Sequence, residues 1–284
     1  MTTYQTITER LIEWASSNKN VRALILIGSR ARATEKADQW SDMDVILVAR
    51  EISAYIETAD WVERFASPLL TFTEVTFDGA YERRVLYEGF LDVDFALSEP
   101  TEFSAALEMS AVSAIFERGY WILLDKDDWT SQIEAHRESA PTQEIAPHVI
   151  ANEIHDYWYH AVWTTKKIKR GELWTAMNCL NCYMGAKLLW MIERLSELSS
   201  DGPVDTWHNG RLLERWADPA LLQRLPGCFS DYDQRALMAT LHHQMNVYHE
   251  IASQVAAQRG LSYPADEAEA VQEWIARVER ERVP

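Results

Sequence analysis

The sequence predicts an α+β protein with two domains. The N-terminal domain is expected to hold a small mixed β-sheet flanked by helices, and the C-terminal domain an α-helical bundle. Short apolar runs, typical of buried strands, recur only in the first half, whereas apolar residues recur at helical spacing after residue 147. Residues 138–147, with two Pro and no apolar period, indicate the boundary between the two domains. A chain of 284 residues has room for both.

The N-terminal domain is predicted to span residues 1–140. It begins with a helix over residues 6–17, because Thr6 and Glu9 have the spacing of a capping box and an apolar repeat of helical period follows them. Apolar or alternating runs bounded by polar and glycine residues predict the strands. The strands are expected at residues 21–27, 43–49, 69–77, 83–88, 90–97 and 120–125, with further helices at 52–65 and 101–117.

The C-terminal domain is predicted to span residues 147–284 and to contain long amphipathic helices. Glycine and a Ser-Ser-Asp-Gly-Pro segment separate them, and these residues are typical helix terminators. The pattern therefore favours a helical bundle. The helices are expected at residues 148–170, 172–197, 231–259 and 265–282.

Composition limits the class of partner. The chain has 27 Lys and Arg against 44 Asp and Glu, a formal net charge of −17. Duplex DNA and anionic membranes need a basic protein surface, so neither is expected as a partner, whereas a cationic small molecule is compatible with this charge. The sequence has no leader pattern and no apolar stretch of membrane-spanning length, and its three Cys do not form a disulfide framework. We therefore expect a cytoplasmic monomer or small homo-oligomer.

Acidic residues mark the predicted strands. Asp42 and Asp44 open the strand at 43–49, and Asp92 and Asp94 lie in the strand at 90–97. Because residues i and i+2 of a strand point to the same face, each pair is expected to project together. Three carboxylates that converge on one face repel one another, and a polyvalent cation relieves that repulsion. With oxygen ligands and no nearby His or Cys, Mg²⁺ is favoured over Zn²⁺.

A Gly-Ser turn completes the pattern. Gly28 and Ser29 follow the strand at 21–27 and can offer backbone N–H groups and a hydroxyl to a phosphate. Each part alone is common, because Asp often caps a turn and Gly-Ser often follows a strand. Together they are typical of phosphoryl or nucleotidyl transfer. P-loop, dinucleotide-binding and serine-hydrolase signatures are absent from the sequence, and Cys179-x-x-Cys182 has no second pair to complete a zinc site.

At these residues the sequence resembles the nucleotidyltransferase superfamily and, within it, the aminoglycoside 6-adenylyltransferases, also called streptomycin adenylyltransferases. The resemblance extends over nearly the whole chain and selects Asp94 rather than Asp92 as the third carboxylate. Two positions differ from the family pattern: His155-Asp156 replaces Asn-Glu, and Ala96 replaces Thr. The matching segments are GSRARATEKADQWSDMDV (28–45), VDFAL (93–97), LLDKD (123–127), DYW (156–158) with Lys166 and Glu172, and GLSYP (260–264).

The resemblance implies an N-terminal nucleotidyltransferase catalytic domain that uses ATP and Mg²⁺. Asp42 and Asp44 would hold the ion that bridges the triphosphate. Asp94 would complete the metal site or act as the general base that takes the proton of the attacking hydroxyl, and both roles are found in the family. The hydroxyl would then attack the α-phosphorus and pyrophosphate would leave.

The resemblance also implies residues that bind the nucleotide and the acceptor. Gly28 and Ser29 would hold the β- and γ-phosphates, with Arg30 as a charge partner. Lys166 would reach the triphosphate, although basic residues in the last turn of a helix are also ordinary partners of the helix dipole.

In the C-terminal domain, which would bind the acceptor, two further residues are candidates. Asp156 would bind an ammonium or guanidinium group of the substrate, unless it lies on a solvated helix face. Trp158 would stack on a substrate ring, unless it belongs to the core of the bundle.

The sequence thus predicts an adenylyltransferase that modifies a hydroxyl of a streptomycin-like aminoglycoside and so gives antibiotic resistance. One alternative keeps the chemistry but changes the acceptor to a lincosamide, another aminoglycoside or a metabolite. A second alternative is a non-catalytic nucleotide-binding sensor, which would have no physical need for three mutually repelling carboxylates. A nucleic-acid polymerase shares the motif, but the charge of −17 argues against it.

Overall fold

The computed structural model describes residues 2–32, 34, 37–76, 79–139, 145–202 and 204–280. The chain divides into two compact units, Met1–Thr142 and Gln143–Pro284. Half of the predicted boundary segment at 138–147, namely residues 140–144, lies outside the described residues. None of the helices in the described ranges is long and apolar enough to cross a membrane.

The first unit contains six strands and five α-helices among its described residues. The positions of the predicted strands match those of the structure to within a few residues. The elements are α1 (Tyr4–Ser17), β1 (Val21–Ile27), β2 (Met43–Ala49), α2 (Ser53–Glu57), β3 (Pro68–Val75), β4 (Tyr81–Tyr87), β5 (Leu91–Ser98), α3 (Pro100–Leu107), α4 (Ser110–Glu117), β6 (Trp121–Asp125) and α5 (Trp129–Ser139).

The strands form one mixed sheet in the order β3-β4-β5-β2-β1-β6. Strands β2 and β5 are parallel, and the other neighbouring pairs are antiparallel. The central strands β1 and β2 are apolar and buried along almost their whole length, because helices cover both faces of the sheet. The α+β class with a mixed sheet and a helical C-terminal region is confirmed.

Two apolar cores lie on opposite faces of this sheet. On one face α1 packs with Ile7 and Leu11, both fully buried, against a group of aromatic side chains that includes Trp61 and Phe95. On the other face Phe103 of α3 and Trp129 of α5 pack together edge to face, with ring centroids 5.1 Å apart. Each large apolar side chain buried in this way stabilises the fold by roughly 1.5–3 kcal/mol. The sheet that carries the acidic residues is therefore held rigidly from both sides.

The helix predicted over residues 52–65 is wrong in its extent. Helix α2 ends at Glu57, and only a short 3₁₀ turn, Val62–Arg64, follows it. Arg83 of β4 explains the break, since its guanidinium donates to the backbone carbonyls of Tyr55, Ile56 and Thr58. Carbonyls of Tyr55 and Ile56 are acceptors that a continuing helix would need. A buried arginine from a strand distant in sequence therefore ends this helix.

Two smaller expectations are also corrected. The N-cap of α1 is Thr3, whose hydroxyl accepts a hydrogen bond from the Thr6 backbone N–H, so the helix begins one turn before the predicted capping box. The helix predicted over 101–117 is two helices, α3 and α4, separated at Met109, whose backbone is extended. Neither difference changes the course of the sheet.

The second unit is helical throughout its described part. The predicted helices are present, and the one predicted over 172–197 is interrupted by a π-helical segment at Cys179–Met184. The helices are α6 (Pro147–Lys169), α7 (Leu173–Asn178), α8 (Gly185–Ser199), α9 (Leu213–Trp216), α10 (Pro219–Leu222), α11 (Gln234–Gln258) and α12 (Ala265–Arg280).

The π-helical segment is held by hydrogen bonds from other parts of the unit. Gln244 of α11 is fully buried and donates to the carbonyls of Leu180 and Cys228. Asn181 exchanges two hydrogen bonds with the backbone of Ser230. Because π-helical turns are rare and need such external partners, the tertiary structure rather than the local sequence explains this segment.

Candidate active site

The turn after β1 is built around a glycine that no other residue can replace without strain. Gly28 begins the 3₁₀ turn Gly28–Arg30 and has a φ of +71°. A Cβ atom at this position would lie 2.0 Å from Oδ2 of Asp44. Both the positive φ and the lack of a side chain are therefore required, and the backbone approaches the Asp44 carboxylate closely.

Ser29 lies next in this turn and is 5% exposed. Its hydroxyl oxygen is buried and has no hydrogen-bond partner among the residues that the structure describes. Most buried polar groups are hydrogen-bonded, so this hydroxyl has room for a partner from outside the protein, either water or a ligand. A phosphate oxygen would satisfy it.

The three predicted carboxylates come together on the sheet. In the parallel pair β2–β5, Asp44 lies directly opposite Asp94, and Asp42 precedes β2 by one residue. Oxygen atoms from Asp42, Asp44 and Asp94 lie within 4.8 Å of one another. Within the described residues, this is the one group of three or more side chains that could hold a metal ion.

The cluster is electrostatically strained. Burial raises the pKa of Asp44 to about 7, and the negative charges of Asp42 and Asp94 contribute to the rise. Burial also raises the pKa of Asp94 to about 6, although the guanidinium of Arg84 opposes this rise. A divalent cation would remove this strain, and an all-oxygen donor set of this kind fits Mg²⁺.

Two further charged residues at this cluster were not identified from the sequence. Arg84 of β4 lies opposite Asp94 in the antiparallel pair β4–β5, and its Nη1 is 2.5 Å from Asp94 Oδ2. Glu82 lies two residues away on the same strand, and burial raises its pKa. The charged residues of β4 were visible in the sequence, but the place of Glu82 and Arg84 beside Asp94 depends on the order of strands in the sheet, which no local pattern encodes.

Arg30 serves the structure of the turn. Its Nε donates to the carbonyl of Asp42 at 2.7 Å and its Nη2 to the carbonyl of Ser41 at 2.5 Å. The guanidinium also lies over the Tyr4 ring, with Cζ 3.5 Å from the ring centroid. In this arrangement Arg30 fixes the backbone that carries Asp42, whereas the resemblance suggested a phosphate partner.

Asp92, which shares a strand with Asp94, is not part of the cluster. It is exposed and accepts a hydrogen bond from the Tyr4 hydroxyl at 3.0 Å. The selection of Asp94 as the third carboxylate therefore agrees with the geometry. Asp92 lies two residues from Asp94 on β5, but it is not among the residues of the group that could hold a metal ion.

In the second unit Asp156 belongs to a network of opposite charges. Its Oδ1 is 2.6 Å from Nδ1 of His160, and its Oδ2 is 2.5 Å from Nζ of Lys187 and accepts from the Tyr183 hydroxyl. Lys187 also pairs with Glu153 at 2.8 Å. Burial raises the pKa of Asp156, but the hydrogen bonds from Lys187 and Tyr183 outweigh burial and lower it overall. Asp156 can bind a cationic substrate only in exchange for one of these partners.

The other two candidates of the second unit lie in different surroundings. Trp158 is 4% exposed, and its indole donates to the Tyr263 hydroxyl at 3.0 Å, which favours the interpretation as a core residue over stacking on a substrate. Lys166 is exposed on α6, with its ammonium 5.9 Å from the centroid of the Trp274 ring. Both residues belong to α6 of the second unit.

The sequence matches the family described as streptomycin adenylyltransferase over residues 1–278. It is 20% identical over 268 residues to an aminoglycoside 6-adenylyltransferase from Campylobacter jejuni, covering 89% of this chain and 88% of that protein.

Two solved structures are also similar. One is an aminoglycoside 6-adenyltransferase from Bacillus subtilis, with a TM-score of 0.47 and 14% identity, covering 99% of this chain and 100% of that one. The other is a nucleotidyltransferase-like protein from Exiguobacterium sibiricum, with a TM-score of 0.35 and 13% identity, covering 96% of this chain and 88% of that one.

Proposed function

The chain belongs to the streptomycin adenylyltransferase family and is a nucleotidyltransferase, and we propose that it transfers the adenylyl group of ATP to a hydroxyl of a streptomycin-like aminoglycoside. Pyrophosphate is the second product, and resistance to the antibiotic is the biological consequence. The observation that carries this proposal is the cluster of Asp42, Asp44 and Asp94 next to the turn at Gly28 and Ser29.

In this proposal Asp42, Asp44 and Asp94 hold Mg²⁺. When bound, the ion neutralises charge on the triphosphate and polarises the phosphoryl group that is transferred. The strained cluster supports this assignment, because burial and mutual repulsion raise the pKa of Asp44 to about 7 when no cation is present. Arg84 donates a hydrogen bond to Asp94, yet burial raises the pKa of Asp94 to about 6, so this carboxylate fits either role, metal ligand or general base.

The turn after β1 is assigned to the phosphates. The orphan hydroxyl of Ser29 can donate to a phosphate oxygen, and Gly28 leaves the backbone free of a side chain at that point. Arg30 donates hydrogen bonds to the carbonyls of Ser41 and Asp42, and these bonds hold the backbone of Asp42 against the turn. The nucleotide would therefore bind to groups that are already in place, which reduces the entropy lost on binding.

The transfer itself is an in-line displacement. The oxygen of the acceptor hydroxyl forms a bond to the α-phosphorus, and its proton passes to a base such as Asp94 or to solvent. The bond from the α-phosphorus to the oxygen that bridges to the β-phosphorus breaks, and pyrophosphate leaves. The protein supplies position and complementary charge, and these account for most of the catalysis in such reactions.

The acceptor is proposed to be a cationic aminoglycoside. The Campylobacter relative is described as an aminoglycoside 6-adenylyltransferase, and the net charge of −17 would steer a polycation to this protein. We further propose that the helical unit contributes to acceptor binding through Asp156, which would exchange Lys187 or His160 for a substrate ammonium group.

The test is pyrophosphate release by the purified protein with Mg²⁺, ATP and streptomycin, together with mass detection of the adenylylated drug. Asp44→Asn should abolish release, whereas Asp92→Asn should retain it, because Asp92 lies on the same sheet but outside the cluster. Release with a lincosamide or another acceptor alone would keep the mechanism and reject the aminoglycoside. ATP binding with no release on any acceptor would reject the enzymatic proposal in favour of a sensor.

A further inference from the structure

Arg84 is bonded to three carboxylates at once, and each of its guanidinium nitrogens is used. Its Nε is 2.6 Å from Glu74, its Nη2 is 2.8 Å from Glu82, and its Nη1 is 2.5 Å from Oδ2 of Asp94. A guanidinium held from three sides keeps a single orientation, because any rotation breaks a charge-assisted hydrogen bond.

The sheet places Arg84 at this point. Arg84 and Asp94 are directly paired across the antiparallel strands β4 and β5, and Glu82 shares the face of Arg84 because it lies two residues away on β4. Glu74 comes from the edge strand β3, in which it pairs with Glu82. Three neighbouring strands therefore fix the guanidinium against the one cluster carboxylate that lies on β5.

These contacts act on Asp94 more than on the stability of the sheet. Strands β4 and β5 are already joined over seven paired positions, from Tyr81 opposite Leu97 to Tyr87 opposite Leu91. The Arg84 side chain is 38% exposed, and exposed ion pairs add little to stability. The Asp94 side chain, in contrast, is only 12% exposed, so a guanidinium that holds Oδ2 also fixes the direction of its second oxygen.

We propose that Arg84 is a positioning residue that holds Asp94 in the orientation in which Asp42, Asp44 and Asp94 bind their divalent ion. This inference rests on the proposed function, since it takes the cluster to be a metal site. Carboxylates that bind metals are commonly held by such hydrogen bonds, and loss of the partner typically costs about 10–100-fold in metal affinity or activity.

The experiment measures Mn²⁺ binding to the full-length protein without nucleotide, by electron paramagnetic resonance of free Mn²⁺. Arg84→Gln should weaken binding about 10-fold or more, and Arg84→Lys, which keeps the charge but not the three-way contact, should weaken it less. Glu74→Gln is the matched control: it removes one contact of the guanidinium but leaves the bond to Asp94, so affinity should stay within about 2-fold. In turnover, Arg84→Gln should lower kcat and leave the KM for the acceptor unchanged.

Mn²⁺ affinity in Arg84→Gln equal to or higher than that of the parent protein would overturn the proposal, because Arg84 would then act as a structural ion pair or as a competing cation. If Arg84→Gln does not fold, as judged by its thermal unfolding, Arg84→Lys carries the test, and affinity equal to that of the parent overturns it. Asp44→Asn separates the two proposals. If Asp44→Asn binds Mn²⁺ as the parent does, the metal site of the proposed function fails, whereas failure of the Arg84 variants alone leaves it standing.

Discussion

Each unit of the molecule contains a partly buried acidic group, and the two groups have opposite electrostatic character. In the first unit, Asp42, Asp44 and Asp94 lie together with one guanidinium, and burial raises the pKa of Asp44 to about 7. In the second unit, burial acts on Asp156 in the same direction, but bonds from Lys187 outweigh it and its pKa is lowered.

The difference lies in the partners rather than in the residue type or its burial. Lys187 has three donors and binds both Glu153 and Asp156, and its own pKa is raised by these hydrogen bonds although burial opposes the rise. Among the described residues of the first unit, no cation forms an ion pair with Asp44, and the charge of Arg84 offsets only part of the rise in its pKa. A carboxylate group that the fold leaves under-neutralised is a candidate binding site, whereas Asp156 already has a cationic partner that a substrate ammonium group would have to replace.

The largest expected effect is the loss of activity when Gly28 is substituted. Gly28→Ala should lower adenylyl transfer by about 100-fold or more, because its Cβ would displace the Asp44 carboxylate, which lies 2.0 Å from that position. Gly171→Ala in the second unit is the matched control, since Gly171 has a φ of +72° and no atom within 4 Å of an added Cβ. Both variants should lose about 1–2 kcal/mol of unfolding free energy, and only Gly28→Ala should lose activity. Equal activity in the two variants would contradict the close approach of the Gly28 backbone to the Asp44 carboxylate.

Removal of the internal cation from the second unit is expected to have the next largest effect. Lys187→Met leaves Glu153 and Asp156 facing each other, so the free energy of unfolding should fall by about 2–3 kcal/mol in chemical denaturation. The double variant with Asp156→Asn should recover part of this loss, because one of the two carboxylates that lost the Lys187 ammonium is neutralised. A double variant less stable than Lys187→Met would show that repulsion is not the cause.

The comparison can be sharpened by neutralising one carboxylate in each unit. Because the pKa of Asp44 is raised, the folded protein without a divalent ion is destabilised as pH rises from about 4 toward 7, and the penalty is complete above that range. At about pH 8, Asp44→Asn should therefore raise the unfolding free energy by about 1–3 kcal/mol, and near pH 4 it should change little.

Asp156→Asn should change the unfolding free energy in the opposite direction and lower it. The pKa of Asp156 is lowered, so its contribution to stability is present above the ordinary Asp pKa and is lost only as pH falls through the lowered value. Denaturation at about pH 8 without divalent ions measures both variants. If both variants changed the unfolding free energy in the same direction, the electrostatic contrast between the two units would be refuted.

The smallest expected effect is the pH dependence of ion binding. A divalent ion must displace protons from Asp44 and Asp94, whose pKa values are about 7 and about 6. Mn²⁺ affinity should therefore rise at least about 10-fold between about pH 5.5 and about pH 7.5, with release of protons that calorimetry in buffers of different ionisation enthalpy detects. An affinity independent of pH over this range would place the ion away from these carboxylates.

Much of the fold could be predicted because the strands are short apolar runs with clear ends. Strands β1 and β2 were predicted at their observed limits, since each is a mainly apolar run, interrupted by Arg22 or Asp44, and is flanked by polar or glycine residues. The prediction of one helix over 52–65 was wrong because Arg83 of β4, which lies further along the chain, donates hydrogen bonds to the carbonyls of Tyr55 and Ile56. The π-helical segment was missed for the same reason, since its partners Gln244 and Ser230 are distant in sequence.

The features of the candidate site also divide into those that local sequence determines and those that depend on tertiary structure. The sequence by itself determined the residue types and their local geometry: Gly28 in a turn after a strand, Asp42 and Asp44 on one side of a strand end, and Asp94 within a second strand. These features depend on neighbouring residues and on the two-residue period of a strand. Only the tertiary structure decided that β5 lies beside β2 with Asp94 opposite Asp44, and that β4 brings Arg84 to Asp94. Strand order and side-chain charge pairing depend on contacts between residues far apart in the chain, which no local pattern encodes.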